Sequence, residues 1–162
     1  VDFVNYKSRV YPVGRLDKDS EGLILLTNQG DLVNKMMRSG NCHEKEYLVS
    51  VDKPVNEAFL KGMAAPVYLK ELEATTRPCV VEQTGKCSFR IILTQGFNRQ
   101  IRRMCETFGY KVTKLKRIRI MNIRLADLKV GACREVSPKE MKDLLELLKD
   151  SSSETVRKNH ES

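Results

Sequence analysis

Leu23-Ile24-Leu25-Leu26 is a continuous apolar run of the kind a buried strand shows, and a charged turn bounded by Gly14 and Gly22 feeds directly into it. Asp17, Asp19 and Glu21 alternate through that turn, so a strand-like backbone sends all three carboxylates to one side. Residues 30–38 read as a short helix, with apolar side chains at 32, 33, 36 and 37, and Ser39-Gly40-Asn41 ends it. Residues 45–51 alternate as a strand with Tyr47, Val49 and Val51 on one face, before Pro54 breaks it. A second short helix over 56–63 carries Phe59, Leu60 and Met63.

Further along, 73–81 and 87–94 form two strand patterns around Gln83-Thr84-Gly85-Lys86, which predicts a hairpin with Phe89, Ile91 and Leu93 on a shared face. From Asn98 the pattern changes period: Ile101, Met104, Cys105 and Phe108 stand at i, i+3, i+4 and i+7, a helical core stripe that Gly109 stops. Residues 112–125 are expected as one long strand region, Ile118 and Ile120 facing one way, Arg117 and Arg119 the other, with a bulge or bend near Asn122. Ser137-Pro138-Lys139-Glu140 has capping-box spacing with proline at the first helical position, opening a helix through Met141, Leu144, Leu145 and Leu148. The polar tail from 150 has nothing to bury and is expected to be disordered. These elements describe one α+β domain, a mixed and mainly antiparallel sheet flanked by short helices.

Composition narrows the class. A chain of 162 residues supports one ordinary core. The four-residue run at 23–26 is far short of the roughly 18 to 20 residues that cross a bilayer, and no secretory signal is visible. Five cysteines, Cys42, Cys79, Cys87, Cys105 and Cys133, never fall in a Cys-x-x-Cys pair, which argues for reduced thiols in a cytoplasmic protein. The net charge of +8 is uneven: residues 86–134 hold 13 basic and 2 acidic side chains, against 11 and 12 in 1–85 and 5 and 7 in 135–162. A block at +11 calls for a polyanion, and nucleic acid is the leading partner.

Arg99, Arg102 and Arg103 crowd the start of the predicted helix, where the helix dipole opposes cations at about 0.3 to 1 kcal/mol each. An anion nearby would offset that cost. Arg99 and Arg103 lie opposite the apolar stripe and suit phosphates; Arg102 lies on its flank and can turn inward to a carboxylate. Asp17 is its natural partner, since a paired arginine keeps a carboxylate ionised in a dry site. On these residues alone, a turn carboxylate beside a solvated arginine face is the plainer reading, because ion-pair networks mimic active sites. Tyr47 is either core or a platform for an extruded base. His43 and His160 lack metal-ligand spacing, Asp17-x-Asp19 is a poor magnesium signal, and neither a nucleophile elbow nor a nucleotide-binding glycine loop is present.

Three motifs in order make a family resemblance specific. Gly14-Arg15-Leu16-Asp17-x-x-Ser20-x-Gly22-Leu23, Lys45-Glu46-Tyr47-Leu48-Val49 and Asn98-Arg99-Gln100-Ile101-Arg102-Arg103-Met104 resemble the signatures of ribosomal pseudouridine synthases of the RsuA, RluB, RluE and RluF group. Residues 28–35, 43–47 and 95–100 look most like the RluF type, which acts on large-subunit ribosomal RNA. The resemblance covers 1–149, taken as the catalytic domain. It implies the pseudouridine synthase fold and isomerisation of uridine already within RNA, with Asp17 as catalytic carboxylate and without metal or organic cofactor. By the same resemblance Tyr47 packs on the target base, Arg102 pairs with Asp17, and Arg15 helps hold the nucleotide out of its stack. Lys45, Arg99, Arg103, Arg117 and Arg119 are expected to bind RNA. An upstream Lys-Pro-x-Gly strand and an S4-type RNA-binding domain, usual in the family, do not precede Val1 here, so a catalytic fragment is expected. The expected partner is ribosomal RNA, the expected state a cytoplasmic, bacterial monomer. The competing expectation is a non-catalytic RNA-binding or ribosome-assembly module using 86–134.

Overall fold

A computed structural model describes residues 11–13, 16, 20–27, 35–36, 43–97, 99–126, 128 and 133–149. The expected helix over 30–38, the tail from 150 and residues 1–10 lie wholly or mostly outside them. Among the described residues ten strands run in chain order: β1 Tyr11–Val13, β2 Glu21–Gly22, β3 Leu25–Thr27, β4 Lys45–Val51, β5 Tyr68–Leu69, β6 Ala74–Thr75, β7 Val80–Gly85, β8 Ser88–Leu93, β9 Val112–Ile120 and β10 Ile123–Arg124. With them come α1 Glu57–Ala64, α2 Gln100–Thr107 and α3 Pro138–Leu148, and residues 35–36 are also helical.

The central sheet has the order β10-β9-β4-β8-β7, antiparallel throughout, and β2 adds a short parallel pairing to β9. The alternation in β4 and β8 decides which face is buried. Val49 and Val51 turn inward with Phe89, Ile91 and Leu93, all at most 4 % exposed. Against that face α1 lays Phe59 and Met63, and α2 lays Ile101, Met104 and Cys105. Asn56 caps α1 by accepting from the Phe59 amide at 2.8 Å, and the Phe59 ring meets Phe89 edge to face at 5.5 Å. A smaller core joins Leu23, Met36, Ile120, Met121 and Ile123 to Leu144 and Leu148 of α3. The capping box opens α3 as its spacing predicts: Ser137 Oγ accepts from the Glu140 amide at 3.1 Å, and Glu140 accepts from the Ser137 amide at 2.9 Å.

Three expectations change. The strand pattern over 73–81 is split, because Pro78 cannot donate to a ladder; β6 turns back on β5, and the sheet strand begins at Val80. Residues 112–125 form a tight hairpin, with Met121 at φ +54° between β9 and β10. The bend expected near Asn122 is this turn, and a second irregularity falls earlier. Glu46 pairs with Arg119 and Tyr47 with Arg117, so Ile118 is the extra residue of a bulge. Arg117 and Arg119 therefore face opposite sides of the sheet, where strict alternation had them together.

Candidate active site

The segment leaving the charged turn is pinned to β9. Gly22 lies alongside Arg117, the Leu23 amide donates to the Arg117 carbonyl at 2.8 Å, and Arg117 Nε donates to the Leu23 carbonyl at 2.8 Å. Gly22 has φ +118°, and a Cβ there would stand 2.2 Å from the Arg117 carbonyl oxygen. Only glycine permits this approach.

The inward face of β4 carries Lys45 and Tyr47 beside this contact. Tyr47, half-buried against the main core, stands directly across from Arg117. Lys45 is 8 % exposed and Arg117 3 %. Burial, and then the neighbouring Arg117 charge, lower the Lys45 pKa.

The third element is α2. Arg99 occupies its N-cap in the left-handed region, φ 51°, with no side-chain cap; the Gln100 side chain accepts from the Phe97 amide at 3.2 Å instead. Arg99 is exposed and Arg103 sits at the rim, 3.4 Å from Glu71. Arg102 is turned in, 9 % exposed, with Nη2 3.4 Å from Ser20 Oγ. Arg102 and Arg117 thus reach residues 20–23, and Lys45 and Tyr47 stand next to Arg117 on β4. Asp17 and Arg15, expected at the same site, lie outside the described residues.

Arg119 stands apart. On the outer face its Nε donates to Glu46 at 2.7 Å, its Nη2 to Glu44 at 3.1 Å and its Nη1 to the Met121 carbonyl at 2.6 Å. Arg90 completes the network, 2.9 Å from Glu46 and 3.1 Å from Glu82. Burial would raise the Glu46 pKa, but the hydrogen bonds from Arg119 and Arg90 outweigh it and hold the carboxyl below its ordinary value. Acids from other strands therefore neutralise part of the basic block, which a count along the chain cannot register. Sequence reasoning also gave no role to Ser20 and gave Gly22 only the bounding of the turn, although the first motif contains both.

A family model described as RNA pseudouridylate synthase matches residues 2–107. The chain belongs to this pseudouridine synthase family. It is 56 % identical over 158 residues to the "Dual-specificity RNA pseudouridine synthase RluF" of Escherichia coli K12, covering 98 % of this chain and 54 % of that protein. To the "Ribosomal large subunit pseudouridine synthase B" of Bacillus subtilis it is 35 % identical, covering 88 % of this chain and 60 % of the relative. A crystal structure of a pseudouridylate synthase superposes with TM-score 0.83 at 29 % identity, over 88 % of this chain and 64 % of that one. The α+β pseudouridine synthase fold expected from the sequence is the fold found. The chain spans about half the length of the RluF relatives it matches.

Proposed function

We propose that this domain isomerises uridine to pseudouridine within large-subunit ribosomal RNA, with Asp17 as the catalytic carboxylate. The observation that carries the reading is the inward-turned Arg102 reaching Ser20, three residues past Asp17, with Tyr47 across the ladder from the Arg117 that pins Leu23. Asp17 attacks the anomeric carbon, steadies a developing oxocarbenium, or removes the ribose 2′ proton, each within reach of a carboxylate without metal or cofactor. Arg102 keeps it ionised. Tyr47 receives the extruded uracil, and stacking together with phosphate contacts from Arg15, Arg99 and Arg103 offsets an unstacking cost of a few kcal/mol. Arg119, held by two carboxylates, contributes through the rigidity of the β4–β9 pairing and through the field of the outer face. The name of the Escherichia coli relative extends the proposal to a second RNA target. The domain is taken to work in the cytoplasm as a monomer.

Asp17→Asn is the test. Carbodiimide mapping of ribosomal RNA treated with each protein should reveal a new pseudouridine with wild type and none with the variant, while filter binding of RNA stays within about threefold, because one charge contributes little to a many-contact interface. Pseudouridine formation by Asp17→Asn at the wild-type rate would refute the role given to Asp17, and no pseudouridine from either protein with RNA binding intact would leave the non-catalytic RNA-binding module as the reading.

A further inference from the structure

Lys45 and Arg117 are charges that the proposed roles of Asp17, Tyr47 and Arg102 leave unexplained. Both are buried, and among the described residues neither has a carboxylate at ion-pair distance. The acids nearest in sequence to Lys45, Glu44 and Glu46, serve Arg119 and Arg90 on the other face. Arg117 commits Nε to the Leu23 carbonyl, while its Nη2 is buried with no hydrogen-bond partner among the described residues. Two like charges held side by side out of water are costly unless a negative charge arrives between them.

Phosphate is a poor fit. It is ionised before, during and after any reaction, and rim cations such as Arg99 already face solvent to meet it. Lys45 and Arg117 instead flank Tyr47, one two residues before it on the same strand face, the other across the ladder. A base stacked on Tyr47 would have both cations as its neighbours on the sheet. We propose that Lys45 and Arg117 are catalytic residues that take up the negative charge of the uracil as its bond to the ribose breaks.

This rests on the isomerase reading above. In each route open to Asp17, the N1–C1′ bond breaks with its electron pair going to N1, so uracil departs as a monoanion delocalised over N1 and the two carbonyl oxygens. A ring electron pair then forms the C5–C1′ bond, as the carboxylate leaves C1′ in the route where it attacked there, or as C2′ regains its proton from Asp17 in the route where it was removed. The C5 proton leaves to solvent and N1 takes one from solvent, so the base ends neutral and no oxidant or reductant is consumed. The two cations bind the anion more tightly than neutral uridine or pseudouridine, which is the differential that accelerates a reaction.

The test uses Lys45→Met, with Lys45→Arg as the charge-retaining control, in single turnovers on RNA bearing tritium at uridine C5. Lys45→Met should slow tritium release by about 100-fold or more at near-normal RNA affinity, and Lys45→Arg should recover most of the loss. On RNA carrying 5-fluorouridine, the electron-withdrawing fluorine makes uracil a better leaving anion. There the Lys45→Met deficit, read as disappearance of the N1-linked nucleoside after digestion, should shrink about tenfold. An equal deficit on both RNAs, or one confined to affinity, overturns the proposal. If Lys45→Met does not fold, Lys45→Gln gives the same comparison with a polar head retained. Wild-type protein that releases no tritium removes the isomerase reading itself. Active wild type, inactive Asp17→Asn and unimpaired Lys45→Met remove only the role given to Lys45.

Discussion

Gly22→Ala puts the pinning of β2 to a quantitative test. At φ +118° a non-glycine residue costs about 1–3 kcal/mol. The added Cβ would lie 2.2, 2.5 and 2.9 Å from the carbonyl oxygen, nitrogen and carbonyl carbon of Arg117. All three are backbone atoms of a strand paired on its other side with β4, so neither partner yields cheaply, and overpacking adds about 1–3 kcal/mol. What holds the segment down is of similar size: the Leu23 amide bond to Arg117 and the Arg117 Nε bond to the Leu23 carbonyl are together about 2–4 kcal/mol. The cost therefore meets or exceeds the local hold while remaining small against the whole core. The residues around Gly22 should lift from β9 without unfolding the sheet. Amide exchange at Leu23 should become fast, the urea midpoint should move little, and pseudouridine formation should fall about 100-fold, as misplacement of a catalytic group by about 1 Å does. Full activity with a protected Leu23 amide would refute the argument that this contact aims the turn.

Glu46→Gln should cost about 2–3 kcal/mol, below the usual figure for a broken buried pair because the Arg90 side chain is 26 % exposed. Since Glu46 titrates below its ordinary 4.5, its stabilisation is complete above that value and is lost as pH falls through the lowered one. Urea midpoints at pH 7 and pH 3 should thus converge in Glu46→Gln relative to wild type, and an unchanged acid loss would count against the network. Burial pushes the Cys105 thiol up to about 12 and Cys79 to about 11, while Cys133 is exposed. A disulfide reagent at pH 8 should therefore label Cys133 in the native protein and reach Cys105 and Cys79 only on unfolding; rapid native labelling of Cys105, located by peptide mass, would contradict the packing of α2.

Local pattern carried much of the architecture because several elements bury one face by simple periodicity. β4, β8, α2 and the capped α3 are within two residues of their predicted bounds, since alternation, the i, i+3, i+4, i+7 stripe and the Ser137–Glu140 box are each complete within a single element. The inward turn of Arg102 was legible for the same reason. The break at Pro78 and the return of β6 onto β5 were missed because the pairing lies between segments whose hydrophobicity does not declare a partner. Asp17, the residue on which the sequence motifs place most weight, is outside the described residues, so its role rests on the motif and on the neighbours that its turn leads into.

What alternation could not supply is the register between β4 and β9, and the site depends on it. In Lys116-Arg117-Ile118-Arg119, strict period-two pleating puts both arginines on one face. Either both would then crowd the inner face, adding a third buried cation beside Lys45, or both would meet Glu46 and leave Tyr47 without a cation across the ladder. The bulge at Ile118 divides them. Arg119 goes out to the Glu44 and Glu46 carboxylates, where its charge is compensated, and Arg117 goes in, where among the described residues it is not. One inserted residue thus separates a carboxylate-paired cation from a buried one that no described carboxylate pairs, and deleting Ile118 should merge them: the outer network would gain or lose both arginines together, and Tyr47 would no longer face Arg117.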